Sequence, residues 1–256
     1  FVVITGLPAN GTLTYLGVGV NPGDAIPTSD LANLIYTPPL NQNGPAYDSF
    51  TFRVRDDGGT SDGGVNTDTT DRTMTIDVIS VNNAPYGTDT TLTTLEDTAY
   101  IFTAADFGFS DIDDVPANNF ENVIITTLPG AGTLTFSGVP VTAGQVIAIT
   151  DIGNLSFIPD TDDNGNGYAS FTFQVQDDGG TNFGGVDIDQ SPNIITFNVT
   201  SVNDAPSGTD NTVTTLEDTD YTFSAADFGF SDLNDSPANS LQSVFIRSLP
   251  VNGTLL

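Results

Sequence analysis

The run Phe171-Thr172-Phe173-Gln174-Val175-Gln176 decides the fold, because apolar and polar side chains alternate along it without interruption. Side chains of a β-strand point alternately to the two faces of a sheet, so a period of two predicts a strand with one buried face. The same alternation returns from Ile195 to Val199, and helical spacing is weak throughout the chain. The sequence therefore predicts an all-β fold.

Outward from this run, seven predicted strands are separated by turn-rich segments. They span about 88–94, 99–103, 122–128, 132–136, 154–158, 170–176 and 194–201, with a minor strand within 139–148 and one helical turn at 104–107. Thr, Val, Ile and Phe are frequent in them, and these residues favour strands. Seven short antiparallel strands of this composition predict a β-sandwich of the immunoglobulin or cadherin type.

The chain repeats itself. The heptapeptide from Leu7 to Leu13 returns in related form from Leu128 to Leu134 and from Leu249 to Leu255, each time 121 residues later. The stretch from Phe50 to Thr60 matches the stretch from Phe171 to Thr181 at the same shift. A gapless period of this kind predicts tandem copies of one structural unit. We therefore expect seven-stranded β-sandwich repeats of 121-residue period, joined end to end.

Two linkers mark the boundaries between copies, Val81-Asn82-Asn83-Ala84-Pro85 and Val202-Asn203-Asp204-Ala205-Pro206. Proline fixes the backbone and cannot donate to a strand ladder, so a strand tends to stop there. The predicted domains are the C-terminal part of a repeat at 1–84, a complete repeat at 85–205 and the N-terminal part of a third at 206–256. Because the chain opens in mid-strand, we expect it to be a piece of something longer.

The composition excludes several kinds of function. The 33 acidic residues, all but three of them Asp, face four Arg and no Lys, which gives a formal charge of −29. The chain has no His and no Cys, which excludes disulfides, zinc fingers and Cys or His nucleophiles. Four arginines cannot form the basic patch that nucleic-acid binding requires. No apolar run is long enough to span a bilayer, so no membrane insertion is expected in this segment.

The acids fall in turns and, for an up-and-down strand order, gather at the two poles of the complete repeat. The pole beside the preceding linker carries the candidate metal ligands Asn82, Asn83, Asp106, Asp111, Asp113, Asp114, Asp177 and Asp178. The opposite pole carries Glu96, Asp97, Asp160, Asp162, Asp163, Asn203 and Asp204. The next repeat adds Asp227, Asp232, Asn234 and Asp235 to that junction.

Acidic poles that meet end to end predict a bound cation. Two like charges about 4 Å apart repel by about 4 kcal/mol at an effective dielectric constant of about 20. Ca²⁺ accepts about six to eight oxygen ligands, whereas Mg²⁺ retains more water, and zinc and copper prefer nitrogen or sulfur. We therefore predict Ca²⁺ at the junctions, weaker at the first one, where Asn41-Gln42-Asn43 and Asn83 lack carboxylates. The alternatives are loops in which Asp serves only as a turn former, and a surface adapted to high salt.

Several motifs in this order resemble the cadherin-like tandem repeats of large bacterial surface proteins and adhesins. They are the linker from Val202 to Pro206, the turn Leu216-Glu217-Asp218-Thr219, the strand from Gly132 to Thr135, and the run from Ser170 to Gly180. The resemblance implies a β-sandwich, Ca²⁺ at the linkers and a location outside the cell or at its surface.

Three functions remain open from the sequence. The first is a rod or stalk stiffened by Ca²⁺, whose partners are the neighbouring repeats of the same chain. The second is a segment of an extracellular filament, in which identical chains pair or exchange strands. The third is a module that binds a glycan or a protein directly. We do not expect an enzyme, because the acids recur every 121 residues and catalytic sites are rarely copied in tandem.

Overall fold

The computed structural model describes residues 1–255, which form strands and short 3-10 helices, and it confirms the predicted all-β class. Within that range no helix has the length and apolar character of a membrane span. The chain divides into two compact units. The first comprises Phe1–Tyr86, Phe109–Glu121 and Val175–Gln190, and the second comprises Gly87–Gly108, Asn122–Gln174 and the residues from Ser191 onward. The domain boundaries predicted after residues 84 and 205 remain predictions.

The first unit contains two antiparallel sheets. Its strands are β1 (Val2–Gly6), β2 (Thr12–Tyr15), β3 (Val18–Gly19), β4 (Ala25–Ile26), β5 (Leu34–Thr37), β6 (Gly44–Val54) and β7 (Arg72–Val78), with 3-10 helices at Thr28–Asn33 and Ser61–Gly63. One sheet has the order β4-β1-β6-β7 and the other β3-β2-β5. Ile4, Leu13, Val20 and Phe50 form the buried cluster of this unit.

The second unit holds the remaining nine strands, apart from the ends of two of them. The nine strands are β8 (Thr90–Leu95), β9 (Tyr100–Ile101), β10 (Phe120–Ile125), β11 (Thr133–Phe136), β12 (Val139–Pro140), β13 (Gln145–Ala148), β14 (Leu155–Ile158), β15 (Gly165–Asp177) and β16 (Asn193–Thr200). The first two residues of β10 and the last three of β15 belong to the first unit. One sheet has the order β13-β10-β15-β16-β8 and the other β12-β11-β14-β9. β8 runs parallel to β16, with Leu92 opposite Phe197.

Aromatic rings from the two sheets of the second unit pack against each other. Phe157 of β14 stacks on Phe197 of β16 with ring centroids 4.0 Å apart and planes at 15°. Phe102 meets Phe171 and Phe197 edge to face, at 5.9 Å from each. All these rings are buried, and the burial of apolar surface stabilises a fold by roughly 25 cal/mol per Å². The unit is therefore sandwich-like, with an aromatic core.

Each of the seven predicted strands corresponds to an observed strand: β8, β9, β10, β11, β14, β15 and β16. The second is shorter than predicted, because Thr103 turns the chain into the 3-10 helix Ala104–Phe107 and donates hydrogen bonds to Asp106 from its N–H and its hydroxyl. The segment predicted as one minor strand forms two, in different sheets: β12 pairs with β11, and β13 pairs with β10.

Residues 206–255 contain no strand. They include the 3-10 helix Ala225–Phe228 and one isolated bridge, between Ser207 and Ser231. Five strands of the first unit follow the sequence period, since β2, β3, β5, β6 and β7 each begin 121 residues before β11, β12, β14, β15 and β16. We call two residues 121 positions apart counterparts.

Candidate metal centres

In the first unit, a linker, a loop and a strand end bring oxygen-bearing side chains together. The bridge between Tyr86 and Ser110 holds the loop beside the linker. Asn82 Nδ2 then donates to Asp177 Oδ1 at 2.9 Å, and the Asn83 N–H donates to Asp114 Oδ2 at 2.9 Å. We call this group the Asp111 cluster. Its members are Asn82, Asn83, Asp111, Asp114, Asn118 and Asp177.

Two carboxylate oxygens of the Asp111 cluster are buried without a hydrogen-bond partner among residues 1–255. They are Asp111 Oδ1 and Asp177 Oδ2. Asp111 is 5% exposed and Asp177 is 0% exposed. Buried polar atoms are nearly always hydrogen-bonded, and leaving one unsatisfied costs about 1–3 kcal/mol, more for a charged group. These two oxygens are therefore placed to bind a ligand that carries positive charge.

The electrostatics of the Asp111 cluster are unfavourable without a cation. Burial raises the pKa of the Asp111 carboxyl, even though Asn118 donates its N–H to it, and the charge of Asp114 raises the pKa further. Burial also raises the pKa of Asp177, and the charge of Asp111 adds to that effect. Like charges thus lie close together where water is scarce. A bound divalent cation would favour the charged form of both carboxyls.

Two predicted ligands of the same pole face other partners. Asp113 accepts hydrogen bonds from the Tyr86 hydroxyl at 2.7 Å and from Asn41 Nδ2 at 3.3 Å. Asp178 is exposed and accepts from the N–H of Asn119 at 2.7 Å and from its Nδ2 at 2.9 Å. Both carboxylates therefore accept hydrogen bonds from residues outside the Asp111 cluster.

A second group of carboxylates meets in the second unit. One oxygen from each of Asp97, Asp162 and Asp204 lies within 4.8 Å of the other two. Asp204 Oδ2 is buried and has no hydrogen-bond partner among residues 1–255. We call these three residues the Asp204 cluster. Burial raises the pKa of Asp162 and of Asp204, and neighbouring acids raise both further.

Buried acids surround the Asp204 cluster. Glu96 is almost fully buried and accepts hydrogen bonds from Asn164 Nδ2 at 2.9 Å and from the N–H of Val202. Asp235 is buried and accepts from the N–H of Asp204 at 3.2 Å. These bonds tie the linker to the loops of the same unit. They also leave the oxygens of the Asp204 cluster facing one another.

Residues 203–239 reproduce part of the Asp111 cluster. Asn239 is the counterpart of Asn118, and its N–H donates to Asp232 Oδ2 at 2.6 Å. Its Nδ2 donates to Asn203 Oδ1 at 2.9 Å, as Asn118 Nδ2 does to Asn82 Oδ1. Asp232 Oδ1, like Asp111 Oδ1, is buried without a partner among residues 1–255. The predicted ligand Asn234 is exposed.

Four predicted ligands have other structural roles or positions. Asp106 caps its 3-10 helix and accepts a hydrogen bond from the Tyr100 hydroxyl, and Asp227 does the same with Ser224 and the Tyr221 hydroxyl. Asp160 accepts from the Gly132 N–H at 2.8 Å. Asp163 is exposed beside it, with its N–H bonded to the Asp160 carbonyl. The structure does not bring these four carboxylates into either cluster.

The sequence reasoning missed Asn118 and Asn239, which position the linker amide and an aspartate in each copy. A signal was available, because Pro116-Ala117-Asn118 recurs as Pro237-Ala238-Asn239 at the 121-residue shift. The predicted ligands included the linker amides Asn82, Asn83 and Asn203 but not these two amides. The chain matches no protein-family model, no curated protein and no solved structure. The resemblance to cadherin-like repeats therefore stays a prediction.

Proposed function

We propose that this chain is a structural, calcium-binding region of an extracellular or cell-surface protein. Cadherin-like β-sandwich repeats would stand in a row, and Ca²⁺ at each linker would stiffen that row into a rod or stalk. The observation that supports the proposal is the pair of buried oxygens without partners, Asp111 Oδ1 and Asp177 Oδ2.

The residues of the Asp111 cluster fit Ca²⁺. Their side chains offer only oxygen as a metal ligand, from the carboxylates of Asp111, Asp114 and Asp177 and from linker amides, and oxygen is the ligand that Ca²⁺ prefers. Asp111 and Asp177 would bind through the oxygens that lack partners, with Asp114 beside them. In the second unit, Asp97, Asp162 and Asp204 would hold a further ion.

The position of both clusters supports a mechanical role. Each contains linker residues, Asn82 and Asn83 in one and Asp204 in the other, together with loop residues of the same unit. A cation bound there joins linker to loop and removes the repulsion among the acids. The 121-residue shift between element starts supports the tandem-repeat arrangement. Extracellular Ca²⁺ modules bind with dissociation constants of about 10⁻⁴–10⁻³ M, which suits such a location.

Calorimetric titration of the 256-residue chain with Ca²⁺ tests the binding step. We expect saturable binding, and a free energy of unfolding higher by about 2.7 kcal/mol per site when Ca²⁺ is about 100 times the dissociation constant. The variant with Asp111→Asn and Asp177→Asn should lose the site in the first unit, and Mg²⁺ should bind more weakly. Absence of both binding heat and a shift in melting temperature contradicts the proposal.

Small-angle scattering tests the mechanical step separately. With Ca²⁺, the chain should have a narrower distribution of dimensions than in chelator, because the linkers are held. Binding without any change in the scattering curve would leave a calcium protein that is not stiffened by its metal.

A further inference from the structure

The outer face of the five-stranded sheet in the second unit carries no charged side chain. Along its strands β8, β10, β13, β15 and β16, buried side chains alternate with side chains that point away from the core. We call these outward side chains the threonine face, counting β10 from Asn122 and β15 from Ser170 to Gln174. All of them are Thr, Ser, Asn, Gln or aliphatic, in a chain with 33 acidic and four basic residues.

The matching face of the first unit does carry charge. Arg53 of β6 and Asp77 of β7 are the counterparts of Gln174 and Asn198. Arg53 Nε donates to Asp71 Oδ1 at 2.7 Å. Because charged side chains are accommodated at equivalent positions of the same strand pattern, strand geometry does not explain their absence from the threonine face.

Hydroxyl groups form rows across the threonine face. Thr196 lies opposite Thr91 on one side and opposite Ser170 on the other. The hydroxyl of Thr172, two residues along β15, lies 2.6 Å from that of Thr126. Directly opposite residues of neighbouring strands have Cβ atoms about 4.5–5.5 Å apart. Since a hydroxyl both donates and accepts hydrogen bonds, such a row is complementary to an identical row.

Aliphatic side chains are exposed between these rows. Ile194 is 42% exposed, Leu95 is 47% exposed and Val146 is 55% exposed. Removal of apolar surface from water is favourable by roughly 25 cal/mol per Å², so a surface that covers the threonine face would be stabilised by these side chains. The face thus offers apolar area together with hydroxyls and amides that can be complemented without any ion pair.

We propose that two copies of this chain pack against each other through their threonine faces. A high net charge keeps proteins apart, and two chains of charge −29 repel each other least where neither surface carries charge. The threonine face meets that condition, and its hydroxyls and amides are complementary to themselves. The same patch is used on both copies, so the contact is isologous and closes as a pair.

The size of the threonine face suits a weak, reversible pair. β16 has eight residues and spans about 26 Å, and five strands about 4.8 Å apart span about 24 Å. The sheet therefore offers up to about 600 Å² per copy, or about 1,200 Å² for the pair, which is the lower end of the range for specific interfaces. This inference does not depend on Ca²⁺, and pairing is expected in chelator as well.

Sedimentation equilibrium of the 256-residue chain in chelator tests the pairing. We expect a monomer–dimer equilibrium that shifts toward dimer between about 0.01 M and about 0.15 M ionic strength, because the screening length falls from about 30 Å to about 8 Å. Thr196→Asp and Thr196→Lys should each raise the dissociation constant about tenfold or more, since both would bury an unpaired charge in the contact. Thr196→Lys also lowers the net negative charge, so it separates the local effect from general repulsion.

Thr75→Asp and Thr75→Lys are the matched controls, because Thr75 is the counterpart of Thr196 on β7 and lies outside the threonine face. They should leave the dissociation constant unchanged. Thermal melts check that each variant folds, and Thr91→Lys, at an exposed residue of β8, repeats the test if the Thr196 variants do not. Any of three results would overturn the proposal: a chain that stays monomeric up to about 1 mM, equal effects of the Thr75 and Thr196 variants, or tighter association of a Lys variant in the face. Calcium binding is measured separately and is unaffected by these outcomes.

Discussion

Asn82 Nδ2 donates a hydrogen bond to Asp177 Oδ1 at 2.9 Å and thereby joins the linker to the end of β15. The bond occupies one oxygen of a fully buried carboxylate and leaves Oδ2 without a partner among residues 1–255. Asn118 Nδ2 donates in turn to Asn82 Oδ1. The side-chain amide of Asn82 is therefore hydrogen-bonded through both its nitrogen and its oxygen, while the negative charge of Asp177 beside it stays uncompensated.

Replacing this carboxylate should have opposite effects with and without calcium. Asp177→Asn keeps an oxygen for Asn82 and removes a charge whose burial is unfavourable, so the metal-free chain should gain about 1 kcal/mol of unfolding free energy. The same change removes a proposed ligand and should eliminate the stabilisation that Ca²⁺ gives at this site. Thermal melts in chelator and in Ca²⁺ measure both effects.

Asp178→Asn is the matched control, because Asp178 is the next residue, is exposed and is hydrogen-bonded to Asn119. It should leave the response to Ca²⁺ unchanged. If both variants responded alike, the effect would come from net charge and not from the unpartnered oxygen of Asp177.

Asp48 is a buried carboxylate with a purely structural role in the first unit. It accepts backbone N–H bonds from Ala9 at 2.9 Å, Asn10 at 3.1 Å and Gly11 at 2.8 Å, and it also accepts from the Tyr36 hydroxyl at 3.0 Å. Burial alone would raise the pKa of Asp48, yet these N–H bonds, led by that of Gly11, hold it below its ordinary value. Asp48→Asn should therefore cost about 2–3 kcal/mol at neutral pH, since an amide cannot accept all these bonds.

The stability lost in Asp48→Asn should depend on pH, and the direction of that dependence follows from the lowered pKa of Asp48. Because the pKa of Asp48 is lower in the folded state, its contribution is present above the unfolded-state pKa of about 3.9 and is lost as pH falls through the folded-state pKa. Urea midpoints of the original chain and Asp48→Asn should thus converge toward acid. Asp160→Asn, at an exposed carboxylate that accepts one backbone N–H, from Gly132, and the Tyr168 hydroxyl, should show a much smaller loss. A difference that grows toward low pH would contradict this assignment.

The strands could be predicted because alternation and the 121-residue period are local properties of the sequence. Phe171 and Phe173 point inward as their period of two requires, and both are buried. The division of residues 139–148 between two sheets could not be predicted, because β12 and β13 are short and their pairing depends on distant strands.

The candidate sites were predicted in part. Asp111, Asp114 and Asp177 could be grouped from loop order alone, as could Asp97, Asp162 and Asp204. Composition could not show that Asp106 and Asp160 accept hydrogen bonds from neighbouring N–H and hydroxyl groups. Aspartate serves both as a helix cap and as a metal ligand, so the residue type alone does not separate the two roles. The difference depends on which donors lie near each oxygen, and only the folded chain determines that.

The aromatic core of the second unit should be sensitive to truncation. Phe197 touches Phe157, Phe102 and Tyr100, so Phe197→Ala should cost about 3–5 kcal/mol. Phe183→Ala, at an exposed ring, should change stability by no more than about 0.5 kcal/mol. Urea unfolding followed by circular dichroism measures both. A small loss for Phe197→Ala would mean that the core repacks around the gap.

Asn41 and Asn83 should weaken the proposed calcium site of the first unit, because each provides an amide where its counterpart provides a carboxylate. Asn41 and Asn83 are the counterparts of Asp162 and Asp204, and both donate to Asp113, at 3.3 Å to Oδ1 and at 3.2 Å to the carbonyl. Asn41→Asp with Asn83→Asp replaces these donors with acceptors beside Asp113 and Asp114. In chelator the added charges should lower the melting temperature.

With Ca²⁺ the same double variant should bind about tenfold more tightly in the first unit, a gain of about 1.4 kcal/mol. Gln42→Asp adds a charge at the counterpart of the exposed Asp163 and serves as the control, for which little change in affinity is expected. Calorimetric titration separates the two cases, because a general charge effect would appear in both variants. Equal gains in both would show that net charge, and not the position of the carboxylates, determines calcium affinity at this linker.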